Sequence, residues 1–188
     1  MNFKKLSGII LLILLFIGGV ASGYLYFSKI FSEDKSAEDK IVGESVKNEN
    51  LFSLRIYYPL GNKLQIEERR LPKRNAQLAI AEATVEEYLK GPSGVEVSNI
   101  PKDTKLLGLY KGGDRILYVD LSDEFRRNFQ GDTLAEFFLL KGLYESLISN
   151  VEDIQDVKVL IEGKEIETLG GHLYLLYPLR DMVSYEFN

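Results

Sequence analysis

The chain contains 188 residues, carries a formal net charge of −5 at pH 7 and lacks cysteine. The lack of cysteine excludes disulfides, thiolate metal sites, cysteine nucleophiles and a lipid anchor attached through cysteine. Basic and acidic side chains balance in residues 1–50, so the net negative charge lies in residues 51–188. A domain of this charge is a poor partner for nucleic acid, whose phosphates attract positive charge.

The first element is an uncharged apolar run from Leu6 to Ser28, which lies between Lys4-Lys5 and Lys29. A helix of about 20 apolar residues crosses the hydrocarbon layer of a bilayer. The run therefore predicts one transmembrane helix, and residues 1–28 are interpreted as a cytoplasmic tail followed by a membrane anchor.

A cleaved secretory signal is the alternative, because Ile9 to Ile17 matches its apolar region and Ala21 to Gly23 offers small residues for cleavage. Apolar character continues through Tyr24 and Tyr26, and tyrosines are typical of the interfacial belt around an uncleaved span. Basic residues flank both ends of the run, so their count alone leaves the orientation open. The short basic tail favours an N-terminus inside the cell and the remaining chain outside.

Residues 29–50 are rich in charged and small polar side chains and contain few large apolar ones. Such a segment buries too little surface to offset the entropy lost on ordering. We expect a flexible linker that keeps the following domain close to the membrane. A continuation of the membrane helix is the alternative, with the same consequence for the domain.

Residues 51–188 have a normal size for one domain with its own core. Leu51 to Leu60 and Leu64 to Leu71 have strand-like patterns on either side of a glycine-containing turn, which predicts a β-hairpin. Lys105 to Lys111 and Arg115 to Leu121 predict a second hairpin for the same reason.

Two helices are predicted among these strands. Asn75 is a candidate cap for the first helix, which runs to Lys90 and ends before a Gly-Pro pair. Thr133 and Glu136 match a capping box at the start of the second helix, which runs to about Asn150. Apolar residues cover most of its circumference, so it is either the central core helix or in part a docking face for another chain.

Val157 to Ile161 and Leu173 to Tyr177 are predicted as the last two strands. The resulting element order is ββαββαββ. Hairpins combined with two helices predict an α+β domain, in which two helices pack on a largely antiparallel sheet.

Five sequence blocks, in this order, resemble the GerMN domain, the sporulation and spore germination domain of the GerM proteins. The blocks are Ala83 to Pro92, Ile100 to Leu107, Val119 to Phe125, Val157 to Gly163 and Gly170 to His172. The resemblance covers about Leu51 to Leu179 and therefore most of the predicted domain.

The resemblance implies an extracytoplasmic, membrane-tethered domain of Gram-positive and related bacteria, often without assigned activity. It also implies a fold similar to the ring-building modules of sporulation channel proteins, which associate side by side. The chain differs from the GerM pattern in two respects, because it has no lipid-anchor cysteine and carries a single copy of the domain where the GerM proteins carry two.

Asp120, Asp123 and Glu124 are candidates for the acid and base of a glycosidase-like site. The alternative is structural, with Ser122 capping a short helical turn that the two following carboxylates stabilise. His172 is the only histidine. We expect its ring to tie a turn to neighbouring backbone, because no second histidine completes a zinc shell.

Glu152, Asp153 and Asp156 lack the ligand spacing and the turn glycine of a calcium loop, and we expect them in a solvated loop. The chain also lacks the glycine-rich phosphate-binding motif with its lysine. We therefore predict no catalytic residue, no metal site and no cofactor.

Arg69, Arg70, Lys73 and Arg74 form the one dense basic cluster, at the end of the second predicted strand. On an acidic domain such a cluster can bind an acidic protein surface, an anionic wall polymer or lipid headgroups. The alternative is an exposed loop whose charges serve solubility. These four residues are the predicted partner-binding site.

The sequence thus predicts a single-pass membrane protein with its domain on the extracytoplasmic side. Its predicted function is a non-catalytic scaffold or interaction module in sporulation, germination or envelope assembly, which binds envelope proteins or copies of itself. The alternative is a factor that binds or hydrolyses cell-wall peptidoglycan through His172 or the acidic residues.

Overall fold

A computed structural model describes residues 50–94 and 99–185 of the chain. The described residues form an α+β fold with two β-sheets and four helices. In chain order the elements are β1 (Leu51–Leu60), β2 (Lys63–Pro72), α1 (Gln77–Lys90), β3 (Leu106–Lys111), β4 (Ile116–Leu121), α2 (Glu124–Arg127), α3 (Thr133–Asn150), β5 (Asp156–Ile161) and α4 (Arg180–Val183).

The predicted membrane anchor lies outside the described residues, as does the predicted linker except for its last residue. Within the described ranges, no helix combines the length and the apolar character that a bilayer crossing needs. The anchor and its orientation therefore stay predictions.

The first sheet is the predicted hairpin of β1 and β2. The two strands pair antiparallel with Leu54 opposite Arg69, and Gly61 in the turn has a positive φ of 58°, which glycine adopts readily. Leu54, Ile56 and Tyr58 share one face of β1, and each is at most 1% exposed. These three side chains belong to the core, and β1 packs against α3.

The second sheet has the strand order β3-β4-β5. β3 and β4 form the second predicted hairpin, whereas β5 pairs parallel to β4. The prediction of one largely antiparallel sheet was therefore wrong in two respects: the first hairpin forms a sheet of its own, and the last strand is parallel. α3 explains the parallel pair, since a helix between two strands can return the chain to the same end of a sheet.

The predicted strand from Leu173 to Tyr177 does not form, which corrects the ββαββαββ order. The side chain of Lys158 on β5 is only 3% exposed, and its ammonium group donates to the carbonyls of Leu175 and Leu176. The N–H of Leu175 donates to the carbonyl of Glu167 at 2.7 Å. Successive carbonyls of a strand point to opposite edges, so one ammonium group that binds both Leu175 and Leu176 holds this segment in an irregular conformation.

Helix α3 is the central helix of the core, as one of the two sequence interpretations predicted. Its side chains at Leu139, Leu140, Leu143 and Leu147 are 0% exposed. The helix packs against β1, α1 and β5. Apolar residues surround it because neighbouring elements cover it on several sides.

The predicted caps of the two longer helices were wrong. α1 begins after Ala76, with no side-chain cap, and Asn75 lies one residue too early for this role. α3 is capped by Asp132, whose carboxylate accepts a hydrogen bond from an N–H of the first turn at 2.9 Å. Since the cap lies one residue before Thr133, Glu136 is not part of a capping box and is available to the core.

Tyr88 joins α1 to α3 inside the core. Its hydroxyl donates to the carbonyl of Leu139 at 2.6 Å, and its ring stacks with that of Tyr58 at a centroid distance of 6.0 Å. Burial raises the pKa of Tyr88 well above its ordinary value of 10.0. Burial also raises the pKa of Tyr58, against an opposing effect of the nearby Arg69.

We expect the free energy of unfolding to fall as the pH rises above about 10, because both tyrosines must ionise less readily in the folded chain than in the unfolded chain. This stabilising contribution is fully present below the unfolded pKa and is lost as the pH rises towards the folded pKa. Urea unfolding at about pH 9 and about pH 11, followed by circular dichroism, measures the loss. Tyr88→Phe should make it smaller, whereas Tyr185→Phe, at a tyrosine that is 71% exposed, should not. Equal losses in all three proteins would contradict the assignment to Tyr88.

Candidate functional site

The predicted basic cluster is divided between different environments. β2 places Arg69 and Arg70 on opposite faces, because successive side chains of a strand alternate. The side chain of Arg69 is 23% exposed, whereas Arg70 and Lys73 are exposed residues. Arg74 is half-buried and donates to the carbonyl of Ala79 in α1 at 3.3 Å. The open part of the cluster therefore consists of Arg70 and Lys73.

Arg69 ties β2 to the end of α1. Its Nη1 donates to the hydroxyl of Ser93 at 2.6 Å, and its Nη2 donates to the carbonyl of Gly91 at 3.0 Å. The guanidinium also pairs with Glu67 at 2.9 Å and lies over the ring of Tyr58, 5.5 Å from its centroid. These contacts give Arg69 a structural role that its place in a basic sequence cluster does not reveal.

Asp120 holds the turn after β5. The residue is 7% exposed, and its carboxylate accepts a hydrogen bond from the N–H of Gly163 at 2.7 Å. Gly163 has a φ of 71°, a backbone conformation that favours glycine. Asp120 therefore has a structural role in this turn, which the sequence analysis did not assign to it.

Asp123 and Glu124 begin the short helix α2 and pair with the arginines of the same helix. The carboxylate of Asp123 lies 2.9 Å from Arg126, and that of Glu124 lies 2.5 Å from Arg127. Hydrogen bonding from the hydroxyl of Ser122 lowers the pKa of Glu124, and hydrogen bonding to its own backbone N–H and the charge of Arg127 add to the effect. A glycosidase acid instead needs a raised pKa. The helical turn was predicted correctly, but its N-cap is Asp123 and not Ser122, and it carries no side-chain cap bond.

The remaining candidate residues lie in loops, apart from Asp156, which is the first residue of β5. His172 is exposed. Its backbone N–H donates a hydrogen bond to the carboxylate of Glu136 at 3.2 Å. Glu152 and Asp153 are exposed, whereas the carboxylate of Asp156 accepts a backbone N–H at the start of α4 at 2.9 Å. In the part of the chain that the structure describes, no three histidine, aspartate or glutamate side chains converge as metal ligands would.

Glu136 is a buried carboxylate that the sequence analysis assigned to a helix cap. It is 0% exposed. Its Oε1 accepts the N–H groups of Leu169 and Gly170 at 3.1 and 3.0 Å, and its Oε2 accepts that of His172. A Cβ at Gly170 would lie 2.5 Å from the ring of Phe129, so this loop requires glycine there. The Gly-Gly pair was visible in the sequence, but its distance of more than 30 residues from Glu136 concealed the contact.

An open groove lies between α1 and β3, with a volume of about 450 Å³. α1 contributes Leu78, Glu82 and Glu86 to its lining, and β3 contributes Leu106–Leu109. Leu78 is 45% exposed and Leu107 is 47% exposed. Leucine side chains are usually more buried than this. The groove therefore offers unusual apolar surface next to the carboxylates of Glu82 and Glu86.

Comparison with known protein families identifies the domain. Residues 55–167 match the Germane family, which is described as sporulation and spore germination. The chain belongs to the Germane family. This result confirms the GerMN resemblance of the sequence. The match ends at Glu167, so the loop that Glu136 binds lies beyond the matched part of this Germane protein. No curated protein matches the chain.

Solved structures share the Germane fold. A candidate lipoprotein from Clostridium perfringens has a TM-score of 0.50 and 21% identity, and the match covers 69% of this chain and 87% of that one. The tandem GerMN domains of the sporulation protein GerM from Bacillus subtilis have a TM-score of 0.51 and 20% identity, with 70% of this chain and 47% of that chain covered. The Germane protein described here thus spans about half of the tandem.

Proposed function

We propose that this Germane-family protein is a membrane-tethered interaction module on the extracytoplasmic side of a bacterial cell envelope, and that it is not an enzyme. The family description supports a role in sporulation or spore germination. One protein of similar fold is a candidate lipoprotein, which supports a place in the cell envelope. The predicted membrane span supplies the tether.

One observation carries the proposal that the module binds and does not catalyse. The buried carboxylates that sequence analysis connects with chemistry or capping hold backbone: Asp120 binds the N–H of Gly163, and Glu136 binds the loop from Leu169 to His172. A general acid or base instead needs a side chain placed to exchange a proton with a bound substrate. Binding at exposed surfaces is therefore the function that this arrangement supports best.

The proposed topology has residues 1–5 inside the cell, one span from Leu6 to about Phe27, and the domain from Leu51 onwards outside. Protease added to intact spheroplasts should digest the domain, which an antibody against the domain detects. A cytoplasmic protein of the same cells is the control, since it should be digested only after lysis. Protection of the domain until lysis would contradict the topology.

Reversal of the two exposed cations, Arg70→Glu with Lys73→Glu, should reduce crosslinking of the full-length chain to an envelope partner. The reduction should be larger at low salt, because surface charges are screened least there. The free energy of unfolding, measured with urea, should change by less than about 0.5 kcal/mol, since both residues are exposed.

Lys63→Glu with Lys102→Glu is the matched control, because these two lysines are exposed outside the cluster. The control pair should leave the crosslinking pattern unchanged. Equal patterns for both pairs would exclude Arg70 and Lys73 as partner-binding residues. Turnover of purified wall glycan by the protein would overturn the non-enzymatic function and favour the wall-hydrolysing alternative.

A further inference from the structure

β3 is an edge strand whose outer side has no strand partner among the described residues. The hydrogen bond from Gly112 to Ile116 lies at the end of the ladder with β4, and hydrogen-bonded pairs in an antiparallel ladder recur at every second residue. Tyr110 therefore directs its main-chain groups towards β4. Leu109 and Lys111 direct theirs outward, where a further strand can reach them.

Helix α1 lies on the other side of the groove from β3 and adds a distinct chemistry. Leu78 on the helix and Leu107 on the strand expose apolar surface. Glu82 and Glu86 are exposed carboxylates on the helix. Glu82 lies 3.5 Å from Arg74, with the two side chains 52% and 37% exposed, so this ion pair is weak and easily replaced.

We propose that this groove binds an extended segment of an envelope protein that carries lysine or arginine, and that the segment adds to β3 as a new edge strand. Main-chain hydrogen bonds to Leu109 and Lys111 provide affinity for any extended chain. Successive side chains of a strand point to opposite sides, so the set that faces α1 can carry the basic groups that approach Glu82 and Glu86, with their apolar stems along Leu78. The inference rests on the proposed interaction function and names the class of partner.

A peptide of alternating valine and lysine, eight residues long, is the probe for the full-length chain in detergent micelles. Hydrogen exchange at single amides should slow by about tenfold or more at Leu109 and Lys111 when the peptide is added. The amide of Tyr110 already faces β4 and should be unchanged. Binding without slower exchange at the two outward amides would overturn strand addition.

Methylation of the peptide amides gives a control that leaves its side chains and charge intact. Two methylated peptides are compared, one with methyl groups on the odd-numbered amides and one with methyl groups on the even-numbered amides. One of the two should bind about tenfold more weakly than the unmethylated peptide, because it loses the N–H donors that face β3. Equal binding of both methylated peptides and the unmethylated peptide would show attraction by charge alone and would overturn strand addition.

The carboxylates of the groove account for the basic character of the partner. Glu82→Lys with Glu86→Lys should weaken peptide binding about tenfold. Glu68→Lys with Glu152→Lys, at exposed positions outside the groove, should leave it unchanged. A peptide of alternating valine and glutamate that binds as tightly as the lysine peptide would overturn the basic partner. If neither peptide binds while the chain still crosslinks to envelope proteins, the groove inference fails and the proposed function stands.

Discussion

Glu136→Ala is expected to lower the free energy of unfolding by about 3 to 5 kcal/mol, because a buried acceptor of three charge-assisted hydrogen bonds is lost. The carboxylate is 0% exposed and binds the N–H groups of Leu169, Gly170 and His172. Leu169 is 6% exposed, so its N–H would stay without a partner unless the loop opens. Urea unfolding of the full-length chain measures the loss, and hydrogen exchange should accelerate at these three amides.

Two further substitutions separate the hydrogen bonds of Glu136 from its volume. Glu136→Gln keeps an oxygen for Leu169 and Gly170 but turns an amide N–H₂ towards the N–H of His172. Its free energy of unfolding should therefore lie between those of the unchanged protein and of Glu136→Ala. Glu145→Gln changes a half-buried glutamate on the same helix and should alter the free energy of unfolding by less than about 0.5 kcal/mol. A loss below about 1 kcal/mol for Glu136→Ala would contradict the anchoring role.

Arg69→Met is expected to lower the free energy of unfolding by about 2 to 3 kcal/mol, because the guanidinium bonds a carbonyl, two hydroxyls and a carboxylate at the junction of β2 and α1. The bond to Gly91 matters most, since it satisfies a carbonyl at the end of α1. Methionine keeps the apolar contact with the ring of Tyr58 but offers no donor. Thermal or urea unfolding of the full-length chain measures the difference.

Arg70→Met is the matched control, because it removes the neighbouring charge from an exposed position on the same strand. Its effect should stay within about 0.5 kcal/mol. Arg69→Lys should remain destabilised, since one ammonium group cannot reproduce the planar fork of the guanidinium. If Arg69→Met were as mild as Arg70→Met, the four basic residues would act as one exposed patch, as the sequence first indicated.

The sequence predicted correctly those strands and helices whose structure is decided by the pattern of their own apolar residues. The alternation of Leu54, Ile56 and Tyr58 is enough to define a strand with one buried face, and the apolar circumference of α3 is enough to place that helix in the core. Gly91, with a φ of 80°, ends α1 where the sequence places the helix end. Five blocks in a fixed order also predicted the Germane family correctly, because a family pattern summarises a whole fold.

Local patterns failed where a distant charged side chain competes for the backbone. The apolar segment from Leu173 to Tyr177 has the composition of a strand, but Lys158, at a separation of 17 residues from Leu175, takes its carbonyls. Thr133 and Glu136 have the spacing of a capping box, but the loop at Leu169 binds Glu136 across 33 residues. In both cases the group that forms the competing contact lies outside the sequence segment whose structure it alters.

The candidate binding surface follows the same division. The sequence determined that basic residues cluster at the end of β2, that the domain is acidic and that the elements belong to the Germane fold. Only the tertiary structure decided that Arg69 turns inward, that β3 is an edge strand and that α1 stands beside it with Glu82 and Glu86. The physical reason is that the period of a strand or a helix is a local property, whereas the partner of a charge and the neighbour of a strand are set by contacts between distant parts of the chain.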